Sequence, residues 1–232
     1  MIRLVIHGAA GRMGTRIRAL ARADARFEVL AAIDQDEQFD ASVDPSASVD
    51  VVIDFSSDQG TSSAVTIATN HGAALLIGTT GLSQQTLDII EVATRKVPVM
   101  VAPNTSIGVA VFTNLVARAA RLLGSGYDVK LTEHHHKHKV DAPSGTALRI
   151  AEQMRREAGI ELTADQIHSI RSGDIVGEHF IEFISPDERI KFHHIATDRD
   201  LFARGALQLA AWLHGQEPGR YTIEQTFEPA DR

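Results

Sequence analysis

The chain contains no cysteine among its 232 residues. That excludes disulfides and thiolate chemistry and is compatible with a reducing compartment. It carries no basic tail or block, and its formal net charge of −7 argues against nucleic acid as the main partner. No apolar run approaches the length of a membrane span, so no membrane partner is expected. The opening residues, M-I-R-L-V-I-H-G, are too short an apolar stretch for a signal peptide and lead straight into a glycine turn. Internal repeats, low-complexity segments and long linkers are lacking as well. These absences leave a cytoplasmic protein as the expectation. Its 44% hydrophobic and 23% charged residues are ordinary for a globular chain with length for one large domain or two small ones.

What is present is an alternation of elements. Short β-rich runs at Arg3 to His7, Phe27 to Ile33, V-D-V-V-I-D-F up to Phe55, L-L-I before Gly78 and V-P-V-M-V before Ala102 are mostly apolar throughout. Helical patterns follow several of them, including Gly60 to His71 and Leu82 to Lys96. Continuously apolar strands separated by helices predict a parallel sheet covered on both faces. The pattern changes after Ser106. A long helix is predicted over Ile107 to Leu123, then a strand from Val129 into a His-rich segment, then a helix over Thr146 to Ala158. Runs at Ile175 to Ile184 and Arg189 to Ala196, joined by S-P-D-E, predict an antiparallel hairpin. A helix over Leu201 to His214 and a strand-like run over Tyr221 to Phe227 complete the chain. The expected fold is α/β: a Rossmann-like parallel-sheet dinucleotide-binding domain, residues 1–106 plus 199–232, with a second α+β domain, residues 107–198, built on a mixed or antiparallel sheet. The connections lie near Ser106 and Asp198.

Gly8, Gly11 and Gly14 stand between the first strand and the first helix. Glycines permit a tight turn and close approach of a pyrophosphate, and the amides near Arg12 and Met13 would face its phosphates. The spacing, G-x-x-G-x-x-G, is one residue longer than the usual fingerprint, and a glycine turn also serves packing alone. Asp34 adds weight, ending the second strand about 20 residues on, where an acidic side chain bonds the ribose hydroxyls. A carboxylate there disfavours a 2′-phosphate, and Gln35 supplies no cation, although Arg12 or Arg16 could reach one. NADH is expected to serve at least as well as NADPH. The loops Gly78-Thr79-Thr80 and Ala102-Pro103-Asn104-Thr105 also leave the C-terminal ends of strands, where ligands of open α/β sheets bind. As ordinary loops they would only cap the next helix.

Residues 133–147 read E-H-H-H-K-H-K-V-D-A-P-S-G-T-A. If the strand continues through them, His134 and His136 share one face and His135 takes the other. Lys139 falls just past the strand, Ser144 is a helix N-cap, and the amides of Gly145 and Thr146 open the helix. Those amides with Lys139 and one or two imidazoles make a receptor for carboxylates. Taken singly, each histidine reads more simply as a solvated residue. Adjacent strand histidines cannot all reach one zinc, so no metal is expected.

The segment from Glu133 to Ala147 closely resembles the signature of the 4-hydroxy-tetrahydrodipicolinate reductase family, long called dihydrodipicolinate reductases. G-A-A-G-R-M-G, D-F-S at Asp54 to Ser56, G-T-T-G, A-P-N-T-S-I-G and R-S-G-D-I-V-G-E-H at Arg171 to His179 match in order, so the resemblance covers essentially the whole chain. It implies reduction of a cyclic, unsaturated dicarboxylate to tetrahydrodipicolinate by NADH or NADPH, in the diaminopimelate route to lysine, by a homotetramer whose second-domain sheet forms the subunit contacts. It implies that His135 is the acid/base histidine and Lys139 the proton donor. His136, Gly145 and Thr146 fall on substrate-carboxylate positions beside Ser144. Gly8, Ala9, Ala10, Gly11, Arg12, Met13, Asp34, Gly78, Thr79, Thr80, Ala102, Pro103, Asn104 and Thr105 fall on cofactor positions. His134 and His138 are left as bystanders.

The sequence departs from the family in three places. The stretch between Asp34 and Val51 is compact. The loop before I-H-S-I-R is cut down to little more than L-T-A-D-Q. Thr105 replaces a common Phe, and looser packing is expected there. Two other readings remain: a related nicotinamide-dependent dehydrogenase acting on an amino-acid semialdehyde or imine, and a cofactor-sensing binding protein without turnover. Only the reductase needs two carboxylate subsites, and the presence of both His135 and Lys139 argues against the sensor.

Overall fold

The computed structural model describes residues 1–34 and 48–227, in two compact units, residues 1–106 with 200–232 and residues 107–199. Gln35 and most of the compact stretch after Asp34 lie outside the described residues.

The first unit begins with β1 (Ile2–His7), α1 (Arg12–Arg22), β2 (Phe27–Ile33), β3 (Val51–Asp54), α2 (Asp58–His71), β4 (Ala74–Ile77), α3 (Gln84–Ala93) and β5 (Pro98–Val101). The second unit contains α4 (Ile107–Leu123), β6 (Asp128–His135), α5 (Gly145–Ala158), β7 (Ile167–Arg171), β8 (Gly177–Ile184) and β9 (Arg189–Ala196). The chain then returns to the first unit with α6 (Asp200–Leu213) and β10 (Gly219–Tyr221).

The strands of the first unit form one sheet in the order β10-β5-β4-β3-β1-β2, every pair parallel. Strands β3 and β4 are buried at every residue, which is why they are apolar without alternation. Val5, Val52, Leu75, Ile77 and Val99 pack with Ala64, Val65 and Ala68 of α2 and Ile90 of α3. Helices α1 and α6 pack on each other, α1 also against β1 and α6 against β3, β4 and β5. Because β2 and β3 flank β1, the direction of winding reverses there. The carboxyl ends of β1 and β3 are therefore the place where such a sheet opens a ligand crevice.

The second sheet is mixed, in the order β7-β6-β8-β9, with β6–β7 parallel and the other pairs antiparallel. Its inner face is layered by register. Val129, Phe183 and Ile190 lie across from one another, and so do Leu131, Ile181 and Phe192. These rows pack against Phe112, Val116 and Ala120 of α4 and Ala147, Ile150 and Met154 of α5. The third row is Glu133, His179 and His194. Two-residue periodicity thus carries titratable side chains onto the same buried face as the apolar core.

Three readings of the sequence need correction. Residues 107–126, α4 and the short turn after it, are long and apolar enough to cross a membrane by length and composition. The run escapes notice because Arg118 and Arg121 interrupt it. In the structure seven of the α4 residues are buried, among them Phe112, Val116 and Ala120 in the second unit's core, so it is a core helix. The strand-like run after Thr222 is instead a three-residue 3-10 turn, Glu224–Thr226, and the strand lies earlier, pairing Gly219–Tyr221 with β5. Helix α3 is shorter than Leu82 to Lys96: Ser83 caps its start and Thr94 its end. The abbreviated L-T-A-D-Q loop forms another 3-10 turn, Ala164–Gln166, closed by a reciprocal cap between Thr163 and Gln166, whose amide also donates to the Val129 carbonyl at 3.1 Å.

Candidate active site

In the first unit, β1 ends in a turn that only glycine can make. Gly8 has φ +80°, and both its amide and that of Ala9 donate to the Ile33 carbonyl, at 2.9 and 3.0 Å. A β-carbon on Gly14 would sit 2.2 Å from the Gly8 carbonyl oxygen, so Gly14 lets α1 seat directly on the turn. Serines cap α2, α3 and α5 through their side chains, whereas the N-cap of α1 is Gly11, which has no side chain to offer. The first amides of α1, those of Arg12 and Met13, therefore open an uncapped helix start directly after a glycine turn. That arrangement suits a phosphate anion, and the residues present fit a dinucleotide. Asp34 stands beside them, its carboxylate accepting from the Ala10 amide at 2.7 Å. Arg16 is committed elsewhere, its guanidinium closing on Asp200.

The other two candidate cofactor loops are organised from beneath. Asp54 is fully buried at the end of β3 and accepts from Thr61 and Thr79, each at 2.7 Å, and from Ser56, with His7 at 3.3 Å. Burial pushes this carboxyl up, but the donors around it outweigh burial and hold it below the usual carboxylate range. Thr79, read as a cofactor position, thus has a buried hydroxyl that donates to Asp54 and accepts from the Ser56 amide at 2.9 Å. Gly78 leaves room for the Phe55 ring, and Thr80 is exposed. In the second loop Ala102 is buried and its amide donates to Ile77, Pro103 is exposed, and Asn104 accepts from the Ser106 amide at 2.9 Å. Thr105 is 1% exposed and donates to the Phe202 carbonyl at 2.7 Å, while a β-carbon on Gly205 would meet the Thr105 carbonyl oxygen at 1.9 Å. The looser packing expected at Thr105 is not found, because the hydroxyl is used and a glycine-faced helix closes on the backbone.

In the second unit, β6 ends at His135, so His136 lies beyond the strand rather than on a face shared with His134. His136 and His138 face each other across 6.3 Å between ring centroids, and partial burial, then Arg199 and His138, pushes the His136 imidazole down. His135 is buried on the same face as Glu133, two residues further along β6. Its Nδ1 contacts the Glu133 carboxylate two residues back on the same face. Arg171, at the end of β7, grips that carboxylate with both terminal nitrogens, at 2.8 Å each, and also donates to the Lys139 and Asp141 carbonyls. Burial pushes Glu133 up, but Arg171, Ser169 and His135 outweigh it and bring it down to about 2. Burial lowers His135, Glu133 raises it, and Lys139 and Arg171 lower it further. Lys139 is half-buried and donates to Asp141 at 2.7 Å. Ser144 caps α5, accepting from the Ala147 amide at 3.2 Å, while its own amide donates to Glu133 at 3.2 Å. Gly145 and Thr146 are the first residues of α5. His179 packs edge-on to His135 at 5.5 Å and is pushed down to about 3, first by burial and then by His135 and His194.

The structure therefore gathers His135, Ser144 and Arg171 around one buried carboxylate, with Arg171 reaching on to the Lys139 carbonyl and Gly145 and Thr146 following the cap, and leaves His134 and His138 outside this cluster. Sequence reading passed over Glu133, Arg171 and His179. Strand alternation places Glu133 on the His135 face and was sufficient to find it. The R-S-G-D-I-V-G-E-H motif begins at Arg171 and ends at His179, but gives neither residue a role, because Arg171 meets Glu133 only through a strand paired 36 residues away.

Comparison with known proteins agrees with these features. The family profile described as "Dihydrodipicolinate reductase, N-terminus" matches residues 2–105, and "Dihydrodipicolinate reductase, C-terminus" matches residues 108–227. The chain is 40% identical over 261 aligned residues to the 4-hydroxy-tetrahydrodipicolinate reductase of Anaeromyxobacter dehalogenans strain 2CP-1, covering 96% of each chain. It is 41% identical over 239 aligned residues to that of Stenotrophomonas maltophilia strain K279a, covering 98% of each. Among solved structures, the dipicolinate-bound dihydrodipicolinate reductase of Paenisporosarcina sp. TG-14 superposes with TM-score 0.80 at 21% identity, over 98% of this chain and 100% of that one. An engineered D-amino acid dehydrogenase bound to NADP+ superposes with TM-score 0.57 at 13% identity, over 99% and 97%. These two structures speak to the fold. With both halves matched in order and two-fifths of residues identical to named relatives, the chain belongs to the dihydrodipicolinate reductase family.

Proposed function

We propose that this protein is an NAD(P)H-dependent 4-hydroxy-tetrahydrodipicolinate reductase, forming tetrahydrodipicolinate in the diaminopimelate route to lysine. The observation that carries the reading is the second unit's polar cluster. An acid/base imidazole, a lysine loop and an amide-rich helix start surround one buried carboxylate, in a chain whose other unit has the uncapped glycine turn of a dinucleotide site.

In this reading residues 1–106 with 199–232 hold the dinucleotide, and residues 107–198 hold the substrate. The pyrophosphate rests on the turn Gly8 to Met13 and takes the amides of Arg12 and Met13 at the start of α1, Asp34 takes the ribose hydroxyls, and the loops Gly78 to Thr80 and Ala102 to Thr105 line the remainder. When bound, the reduced nicotinamide supplies a hydride. The substrate's carboxylates take the Gly145 and Thr146 amides, Ser144 and His136. Hydride addition to one end of a conjugated double-bond system requires a proton at the other, and the Lys139 ammonium donates it, with His135 in the acid/base role. The commitment of Arg16 to Asp200 and the carboxylate of Asp34 favour NADH at least as much as NADPH.

The deciding experiment condenses aspartate semialdehyde with pyruvate in situ and follows oxidation of NADH and NADPH by absorbance. Oxidation dependent on the condensation product is expected, and its absence with both cofactors would sink the reading. We further propose a cytoplasmic homotetramer, which light scattering coupled to size exclusion tests.

A further inference from the structure

A buried ion pair seldom stabilises a fold more than apolar residues of the same size would. The pair formed by Glu133 and Arg171 nevertheless occupies the inner face of the second sheet, where the two preceding rows are apolar. Its contacts suggest another purpose. One carboxylate oxygen of Glu133 meets His135 Nδ1 and Arg171, while the other takes Arg171 and the Ser144 amide. An ionised carboxylate can only accept, so His135 must carry its proton on Nδ1, which leaves Nε2 as the working nitrogen. Gly177 adjoins that nitrogen: a β-carbon there would lie 3.0 Å from Nε2, and glycine keeps the space clear. Arg171 extends the same unit outward. Its Nε donates to the Lys139 carbonyl at 3.3 Å, and a terminal nitrogen donates to the Asp141 carbonyl.

We propose that Glu133 and Arg171 are positioning residues that lock the tautomer of His135 and tie the Lys139 loop to it, so that the two proton-handling groups are set by one buried ion pair. The assignment rests on the roles given above to His135 and Lys139. The charged and titratable groups facing His135 are Glu133 from its own strand, Arg171 from β7, His179 from β8 and Lys139 from the following loop. Only Glu133 among them both bonds the ring and favours its protonated form.

The test uses the full chain. The His135 resonance is assigned as the imidazole signal lost in His135→Asn, and its titration is followed by NMR in wild type and Glu133→Gln. Removing the negative partner is expected to lower the His135 midpoint by about one unit or more. It should also lower kcat by at least about tenfold and move the limb of the kcat profile that His135 sets to lower pH, with NADH affinity unchanged. Arg171→Lys retains a positive charge but not the fork, and is expected to lower kcat as well. A folded Glu133→Gln protein with an unmoved His135 midpoint overturns the proposal, as does Arg171→Lys with full kcat. Should Glu133→Gln not fold, Glu133→Asp, which withdraws the carboxylate by one carbon, is read by the same criteria. The NMR midpoint needs no turnover, so an inactive wild type would count against the reductase reading without deciding this one.

Discussion

The backbones of Gly8 and Phe55 approach so closely that a β-carbon on Gly8 would lie 2.3 Å from the Phe55 carbonyl oxygen. The contact joins the ends of β1 and β3 at the point where the sheet reverses its winding. Gly8→Ala adds both this clash and the cost of holding φ at +80° with a side chain. A loss of about 2 kcal/mol or more is expected in urea unfolding, together with weakened NADH binding in a fluorescence titration.

Lys139→Ala should lower turnover severely, by about 10²- to 10⁴-fold, the range of a lost proton donor. Lys139 belongs to the second unit and the glycine turn to the first, so NADH affinity should barely change. A parallel loss of cofactor binding in the same titration would count against the division of labour.

Stability should fall with acid in two stages. His179 is pushed down to about 3, so the folded state binds fewer protons at this site than the unfolded state. Its contribution is present above the ordinary histidine value of about 6.5 and is lost progressively as pH falls from there. Glu133, held at about 2, contributes stability present above about 4.5 and lost as pH falls toward 2, and the lowered Asp54 acts in the same direction. Urea midpoints from pH 8 to pH 3, standard buffer conditions for such linkage, should decline gently first and steeply below about 4.5. His179→Gln should flatten the first stage. A midpoint independent of pH between about 6.5 and 4.5 in wild type would contradict this account.

Ser144→Ala removes the N-cap of α5 and the hydroxyl 3.4 Å from His179 Nε2. A stability loss of about 1 kcal/mol is expected from the cap alone. If the helix start receives a substrate carboxylate, KM should rise more than kcat falls, which steady-state kinetics resolves.

Much of the fold was legible because its signals are local. Phe27–Ile33 and Ile107–Leu123 can be read to the residue, since an apolar run bounded by turn residues, or a helical period, needs no knowledge of partners. The strand-like run after Thr222 was misread because three residues of a 3-10 turn carry no period to distinguish them from a strand. The interruption by Arg118 and Arg121 likewise hid the apolar length of α4, whose burial depends on α5 and the sheet beneath it.

The glycine turn, the Asp34 position after β2, the alternation of elements and the His-rich strand with its capped helix all follow from residues close together in the chain. Each of these rests on backbone conformation or on two- and 3.6-residue periodicity, which neighbouring residues set. Packing set the strand order, the inward turn of Thr79 onto Asp54 and of Thr105 onto Phe202, and the meeting of Glu133 with Arg171. Those depend on which strands and helices lie side by side. A buried carboxylate must find its donors wherever the packed chain supplies them, and here they come from residues 2 to 38 positions away along the chain.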